Sequence, residues 1–198
     1  MANDVGNAAR ETIDYLTAKL LLDSSGFFSS GNNNLLTGAA NSFGLTGLSA
    51  LHEKFLKQKT DSKDGKSRTI NVRPEILLVP PELELAARSL MRSERLITGS
   101  GSERGDANPL ANLYEIVVMP QLSDASVSSN ASNTAYYLMA RPTRMAAIEL
   151  AALNGQLTPK LTRNESTGPG LFVSWDAVLD VNPGLREPEA AARATGVA

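Results

Sequence analysis

Ala9, Ile13, Leu16 and Leu20 recur at intervals of four, three and four, which lines one helical face and predicts a helix over residues 7–24. Asn7 is placed to cap its start and Gly26 to end it, while Arg10, Glu11, Asp14 and Lys19 take the more polar faces. The periodicity then stops. Ser24-Ser25-Gly26, Ser29-Ser30-Gly31 and Asn32-Asn33-Asn34 are loop composition, but Phe27-Phe28, Leu35-Leu36 and Phe43 interrupt it, so the segment is expected to pack onto the body of the protein. Leu48, Leu51, Phe55 and Leu56 form the stripe of a second helix over 47–59, with Thr46 as N-cap. A charged stretch from Lys57 to Arg68, turning at Asp64-Gly65, leads to a short strand, Thr69 to Pro74, and a fully apolar one, Ile76-Leu77-Leu78-Val79.

Pro80-Pro81-Glu82 ends that strand and opens a third helix. Proline suits the first turn because its missing N–H has no partner there, and Glu82 favours the positive helix end. Leu83, Ala86, Ala87, Leu90 and Met91 mark its buried face. Residues 98–112 read as loop, Tyr114 to Pro120 as strand, 123–134 as a Ser/Asn loop and Ala135 to Ala140 as strand, stopped by Arg141-Pro142. Ile148 to Leu153 fits strand or helix, and Leu171 to Leu179 reads as a late strand. The Ala- and Glu-rich tail, Arg186 to Ala198, is expected to be loosely held. Helices and strands mix without strict βαβ alternation and without an internal repeat, so the fold class is α+β.

The 198 residues suffice for one domain with a sizeable core, and 42% hydrophobic and 20% charged residues exclude wholesale disorder. With no cysteine, disulfides, thiolate nucleophiles and cysteine-based metal centres drop out; with one histidine, so does any site needing two imidazoles. A net charge of −2 argues against general electrostatic capture of nucleic acid. The start, Met1 to Val5, lacks a basic and apolar leader pattern, and the apolar runs are too short to span a membrane, so a soluble cytosolic chain is the expectation. The sequons at Asn130 and Asn164 are then chance matches.

Candidate chemistry is sparse. Gly99-Ser100-Gly101-Ser102-Glu103-Arg104-Gly105 follows a helix and lacks a Gly-Lys-Ser/Thr ending, so it reads as a flexible loop; the Arg104-Gly105-Asp106 tripeptide inside it carries no weight. No G-x-S-x-G elbow is present, and His52 sits mid-helix as a surface or boundary residue. Nothing singles out a carboxylate pair for hydrolysis, and no calcium-loop pattern occurs. Lys54, Lys57, Lys59, Lys63, Lys66 and Arg68 form the one basic cluster, diluted by Glu53, Asp61 and Asp64 and without stacking aromatics; it reads as a solvated turn. The residues nominate no catalytic, cofactor-binding or metal-binding side chain.

Ile76-Leu77-Leu78-Val79-Pro80-Pro81-Glu82-Leu83-Glu84-Leu85-Ala86-Ala87-Arg88 resembles the LLVPP-x-L-x-x-x-A segment of tailed-phage major capsid proteins, nearest the Mu-like major head subunit and its prohead protease–capsid fusion relatives. The flanks agree in order. Asn32-Asn33-Asn34-Leu35-Leu36-Thr37-Gly38 is similar to that family's N-L-xx-G loop, and Gln58 to Gly65 to its Q-x-D-x-x-G turn. Asn108-Pro109 precedes the strand at Tyr114, Tyr136-Tyr137-Leu138 with Arg141-Pro142 resembles W/Y-Y-L-x-A-x-P, and Ile148-Glu149-Leu150 to Leu153-Asn154-Gly155 resembles I-E-V-x-x-L-N-G. Two departures stand out. Asp176-Ala177-Val178-Leu179 and Leu185-Arg186-Glu187 replace the family's D-F-G-V and R-G, and its N-terminal arm and extended loop would lie upstream of the first helix.

The resemblance implies the phage Hong Kong 97-type fold, also used by encapsulins, with a spine helix and an axial domain whose mixed sheet is flanked by helices. On that basis residues 1–26 are the spine helix of the peripheral domain, 27–160 the axial domain, and 161–198 the return strand with a loose tail. It implies a structural subunit, or the C-terminal portion of one, that self-assembles into an icosahedral shell around a DNA genome. Vertex-facing residues would lie near 27–45 and 99–112. The implied partners are copies of the chain, other head proteins and a prohead protease, with packaged DNA contacted non-specifically at most and no membrane. The implied place is the virion capsid, and the host cytoplasm during assembly; no cofactor or enzymatic activity is implied. The alternatives are an encapsulin-like compartment shell and a small carboxylate-based hydrolase.

Overall fold

The computed structural model describes residues 2–38, 41–60, 68–96, 106–165 and 173–196. In chain order the elements are α1 (Ala2–Asp23), β1 (Leu35–Leu36), α2 (Leu45–Leu56), β2 (Lys59–Thr60), β3 (Arg68–Thr69), β4 (Ile76–Val79), α3 (Pro81–Arg92), β5 (Arg95–Leu96), β6 (Asp106–Ala107), β7 (Glu115–Val118), β8 (Tyr136–Met139), β9 (Ile148–Ala152), β10 (Lys160–Glu165), β11 (Val173–Val178), β12 (Val181–Leu185) and β13 (Ala191–Ala194). Single turns of 3-10 helix lie at Pro120–Leu122, Leu153–Gly155 and Pro188–Ala190. Three helices and a mixed sheet make this an α+β fold.

The central sheet runs in the order β1-β13-β8-β4-β7. β13 is parallel to β1 and antiparallel to β8, whereas β4 is antiparallel to β8 and parallel to β7. The parallel β4–β7 pair needs a crossover, which α3 supplies. Register places Leu35, Arg193, Tyr137, Leu78 and Val117 in one row across the sheet, with Arg193 its only charged member. Both faces are covered around β8, where Tyr136, Tyr137 and Leu138 are all completely buried. That explains why these strands read as continuous apolar runs instead of alternating ones. Tyr136 meets α2, its ring edge-on to Phe43 at 5.1 Å and its hydroxyl donating to the Asn41 carbonyl at 3.1 Å. Tyr137, pointing the other way, stacks at an angle on Phe28, 5.4 Å away.

Several elements differ from the sequence expectation. α1 starts at Ala2, so Asn7 lies inside the helix; Asp4 in the first turn complements the helix dipole. Gly26 does not take the positive φ of a helix-ending glycine. α2 starts at Leu45 after Gly44, with Thr46 inside it. The reason is Gly47, where a Cβ would lie 2.1 Å from the Ser42 carbonyl oxygen and 2.8 Å from the Tyr136 hydroxyl; that close approach fixes the first turn. Leu56 and Ala86 face solvent instead of joining their helices' buried stripes. The strand expected over 69–74 is only Arg68–Thr69, paired with Lys59–Thr60. The charged turn at Asp64-Gly65, the glycine loop 99–105 and Leu171-Phe172 lie outside the described residues.

The largest correction concerns the tail. Residues 191–194 form an inner strand of the central sheet, and Ala190, Ala191, Ala192 and Ala194 are completely buried. Alanines keep the strand thin enough to fit between covered faces. Gly196, at φ 64, follows where a Cβ would sit 1.8 Å from the Thr134 carbonyl oxygen. The Asn-rich loop packs onto this strand as expected. The buried Asn34 side chain donates to the carbonyls of Phe27 (2.8 Å) and Pro188 (3.0 Å), accepts from Ser29 N–H (3.0 Å), and so ties both chain regions together. Gln58, also buried, donates to the Asn33 carbonyl at 3.0 Å.

Candidate assembly surfaces

His52 on α2 is half-buried and hydrogen-bonded through Nδ1 to the Tyr114 hydroxyl at 2.5 Å, which makes it a satisfied boundary residue. Burial, with the nearby Arg73 charge adding to it, holds its imidazole pKa below the usual value, and burial pushes the Tyr114 hydroxyl well above its own. Five of the described carboxylates pair with cations here: Glu75 and Glu115 with Arg141 (2.6 and 3.3 Å), Glu149 with Arg186 (3.2 Å), Glu84 with Arg88 (2.7 Å) and Glu53 with Lys57. These pairs are partly or largely open to solvent, where water screens the attraction and little stability is gained. Among the described residues no three His, Cys, Asp or Glu side chains could hold a metal ion together. No helix among them is long and apolar enough to cross a membrane.

The conspicuous surfaces lie on the side built from α1, β9–β12 and β10–β11. β9 and β12 form an antiparallel pair, as do β10 and β11 in a six-rung ladder from Lys160↔Val178 to Glu165↔Val173. A two-stranded ribbon has no second layer to cover it. Trp175 is accordingly 50% exposed opposite Arg163, and Val178 is 65% exposed opposite Lys160. At the ribbon's base a cleft of about 520 Å³ runs between Leu153, Asn154, Gln156 and Asp180, and Leu153 and Leu157 are also exposed. Two shallower grooves, about 310 and 340 Å³, follow α1. One is lined by Val5, Ala9, Leu16 and Val181, the other by Leu16, Leu20 and Pro183. The helical stripe Ala9–Ile13–Leu16–Leu20 is therefore only half-buried; full burial is reserved for Ala18, Leu21 and Leu22 at the end that enters the core.

A family model for phage capsid protein matches residues 1–194. The chain belongs to the phage capsid protein family. Two solved structures share the fold. One is from Mycobacterium phage Che8, at 17% identity and TM-score 0.55, covering 96% of this chain and 60% of its own. The other is a phage-related protein from Bordetella bronchiseptica RB50, at 12% identity and TM-score 0.52, covering 92% of this chain and 59% of its own. The capsid-family chain thus spans about three-fifths of the length of either neighbour. No curated protein matches it.

Three of the motifs behind the resemblance fall on defined elements of the fold. The LLVPP segment is β4 and the start of α3, with Pro81 in the first turn, Glu82 and Glu84 beside it and Arg92 in the last turn. The Tyr-Tyr-Leu segment is β8, and the Ile-Glu-Leu segment resolves as strand β9. Of the basic cluster, Lys63 and Lys66 lie outside the described residues, and Lys57 is paired with Glu53. Composition did not reveal the ribbon as a surface. Lys160–Glu165 is polar enough to read as loop, and only its ladder with Val173–Val178 identifies it as a strand.

Proposed function

We propose that this chain is a structural shell subunit of a tailed-phage head, of the Hong Kong 97 type, or a portion of one. It works by contact with copies of itself and other head proteins and performs no chemistry. The family match across residues 1–194 carries this reading, and the exposed ribbon and α1 grooves support it by supplying apolar surface for neighbours to cover. In this reading α1 is the spine helix, the central sheet with α2 and α3 is the axial part, and β9 to β12 belong to the peripheral part. The axial part then includes residues 186–196 as well as most of 27–160, because β13 lies inside the same sheet. The subunit gathers into an icosahedral shell around DNA, passing through the host cytoplasm before it reaches the virion.

Induction of the host that carries the gene, followed by density-gradient fractionation and mass spectrometry, tests this. The expected result is peptides of this chain in DNA-containing particles, at the copy number of the most abundant component. Peptides confined to the soluble fraction while particles form without them would overturn the reading.

A further inference from the structure

Among the described residues, three buried side-chain atoms lack a hydrogen-bond partner: Asn41 Oδ1, Tyr137 Oη and Arg193 Nε. Two of the three belong to directly opposed residues, since Arg193 of β13 is in register with Tyr137 of β8. The guanidinium carbon lies 5.6 Å from the centre of the Tyr137 ring, so the charge rests over the aromatic face and does not take the hydroxyl as its partner. Phe28 closes over the same ring, and the row they share is otherwise Leu35, Leu78 and Val117. A phenol oxygen and a guanidinium N–H enclosed this way, each without a partner, would be two desolvated polar groups in one apolar layer. Buried polar atoms in native proteins are nearly always satisfied, and a shared water is the usual means, with about one buried water per 27 residues.

We propose that Arg193 and Tyr137 form a buried hydration site holding one ordered water, which accepts from Arg193 Nε–H and hydrogen-bonds the Tyr137 hydroxyl. The site joins β13 to β8 through side chains as well as backbone. It accounts for an arginine in a strand otherwise built of alanines. Water suits the pair because an N–H donor and a phenol oxygen ask for one small donor–acceptor molecule.

The test turns on the sign of Tyr137→Phe in equilibrium urea unfolding. If the hydroxyl is bridged, its removal lowers the folding constant roughly fivefold to tenfold, and the loss shrinks to less than about twofold in an Arg193→Met background, where the bridge is already gone. A Tyr137→Phe variant as stable as the parent, or more stable, shows an orphan hydroxyl and overturns the proposal. So does an equal loss in both backgrounds, which places the partner elsewhere. A high-resolution crystal structure gives the second readout: a water about 3 Å from both atoms supports the site, and direct contact between Tyr137 Oη and the guanidinium excludes it.

Discussion

Two regions of this molecule solve the same problem in opposite ways. In the central sheet, β8 is flanked by β13 and β4 and covered on both faces, so Tyr136, Tyr137 and Leu138 lose all contact with water. In the β10–β11 ribbon the ladder is longer, yet Leu161, Trp175 and Val178 remain exposed, with no second layer over them among the described residues. The sheet is stabilised within the chain by burial of roughly 25 cal/mol per Å² of apolar surface. The ribbon gains little of this, and its apolar side chains gain it only when another molecule covers them. Strand pairing alone does not make a region self-sufficient; layering does.

Truncating the chain after Arg186 should break the comparison most severely. It deletes β13 from between β1 and β8 and removes the Pro188 carbonyl that Asn34 binds. The expected outcome is loss of the cooperative unfolding transition in circular dichroism. Next comes Leu138→Ala, at a position with no exposure. It should cost about 3 kcal/mol through lost burial and a residual cavity, read from urea midpoints.

Ser128→Ala sharpens the contrast more mildly, through pH. The Ser128 hydroxyl, then Lys19 at 2.9 Å, hold the Asp23 carboxylate below its usual pKa at the end of α1. A carboxylate depressed in the folded state adds stability above its unfolded pKa of about 3.9 and loses it as pH falls through the lower folded value. Unfolding at pH 7 and at about pH 3 should therefore show the parent losing more stability on acidification than Ser128→Ala, which is the less stable of the two at pH 7. The smallest expected effect on stability is at the ribbon. Trp175→Ser should shift the unfolding midpoint of the isolated chain by less than about 0.5 kcal/mol, yet raise the concentration at which copies associate, followed by sedimentation velocity.

What was legible in the sequence tracks these differences. Ile76–Val79, Glu115–Val118 and Tyr136–Met139 concentrate β-branched, leucine and aromatic residues, and each is a strand of the central sheet. β13 was not legible. Ala-Ala-Arg-Ala carries almost no hydrophobic or β signal, and its place depends on fit, seen in the clearance between Gly196 and Thr134. β10, Lys-Leu-Thr-Arg-Asn-Glu, becomes a strand through a partner farther along the chain. The stripe on α1 announced a helix correctly but not which end enters the core. Periodicity reports a face, whereas burial depends on what packs against it. The candidate surfaces were invisible for a related reason, because exposed apolar residues look the same as core ones in a linear sequence.

The claim that the ribbon is covered when copies meet has a built-in reporter, since Trp175 is the chain's single tryptophan. Its emission maximum, followed across a concentration series alongside sedimentation of the same samples, tests the account most directly. The account predicts a water-exposed spectrum for the lone chain that moves to shorter wavelength in step with the growth of assemblies. A chain that never associates, or assemblies that form while the emission stays at its exposed position, would contradict it.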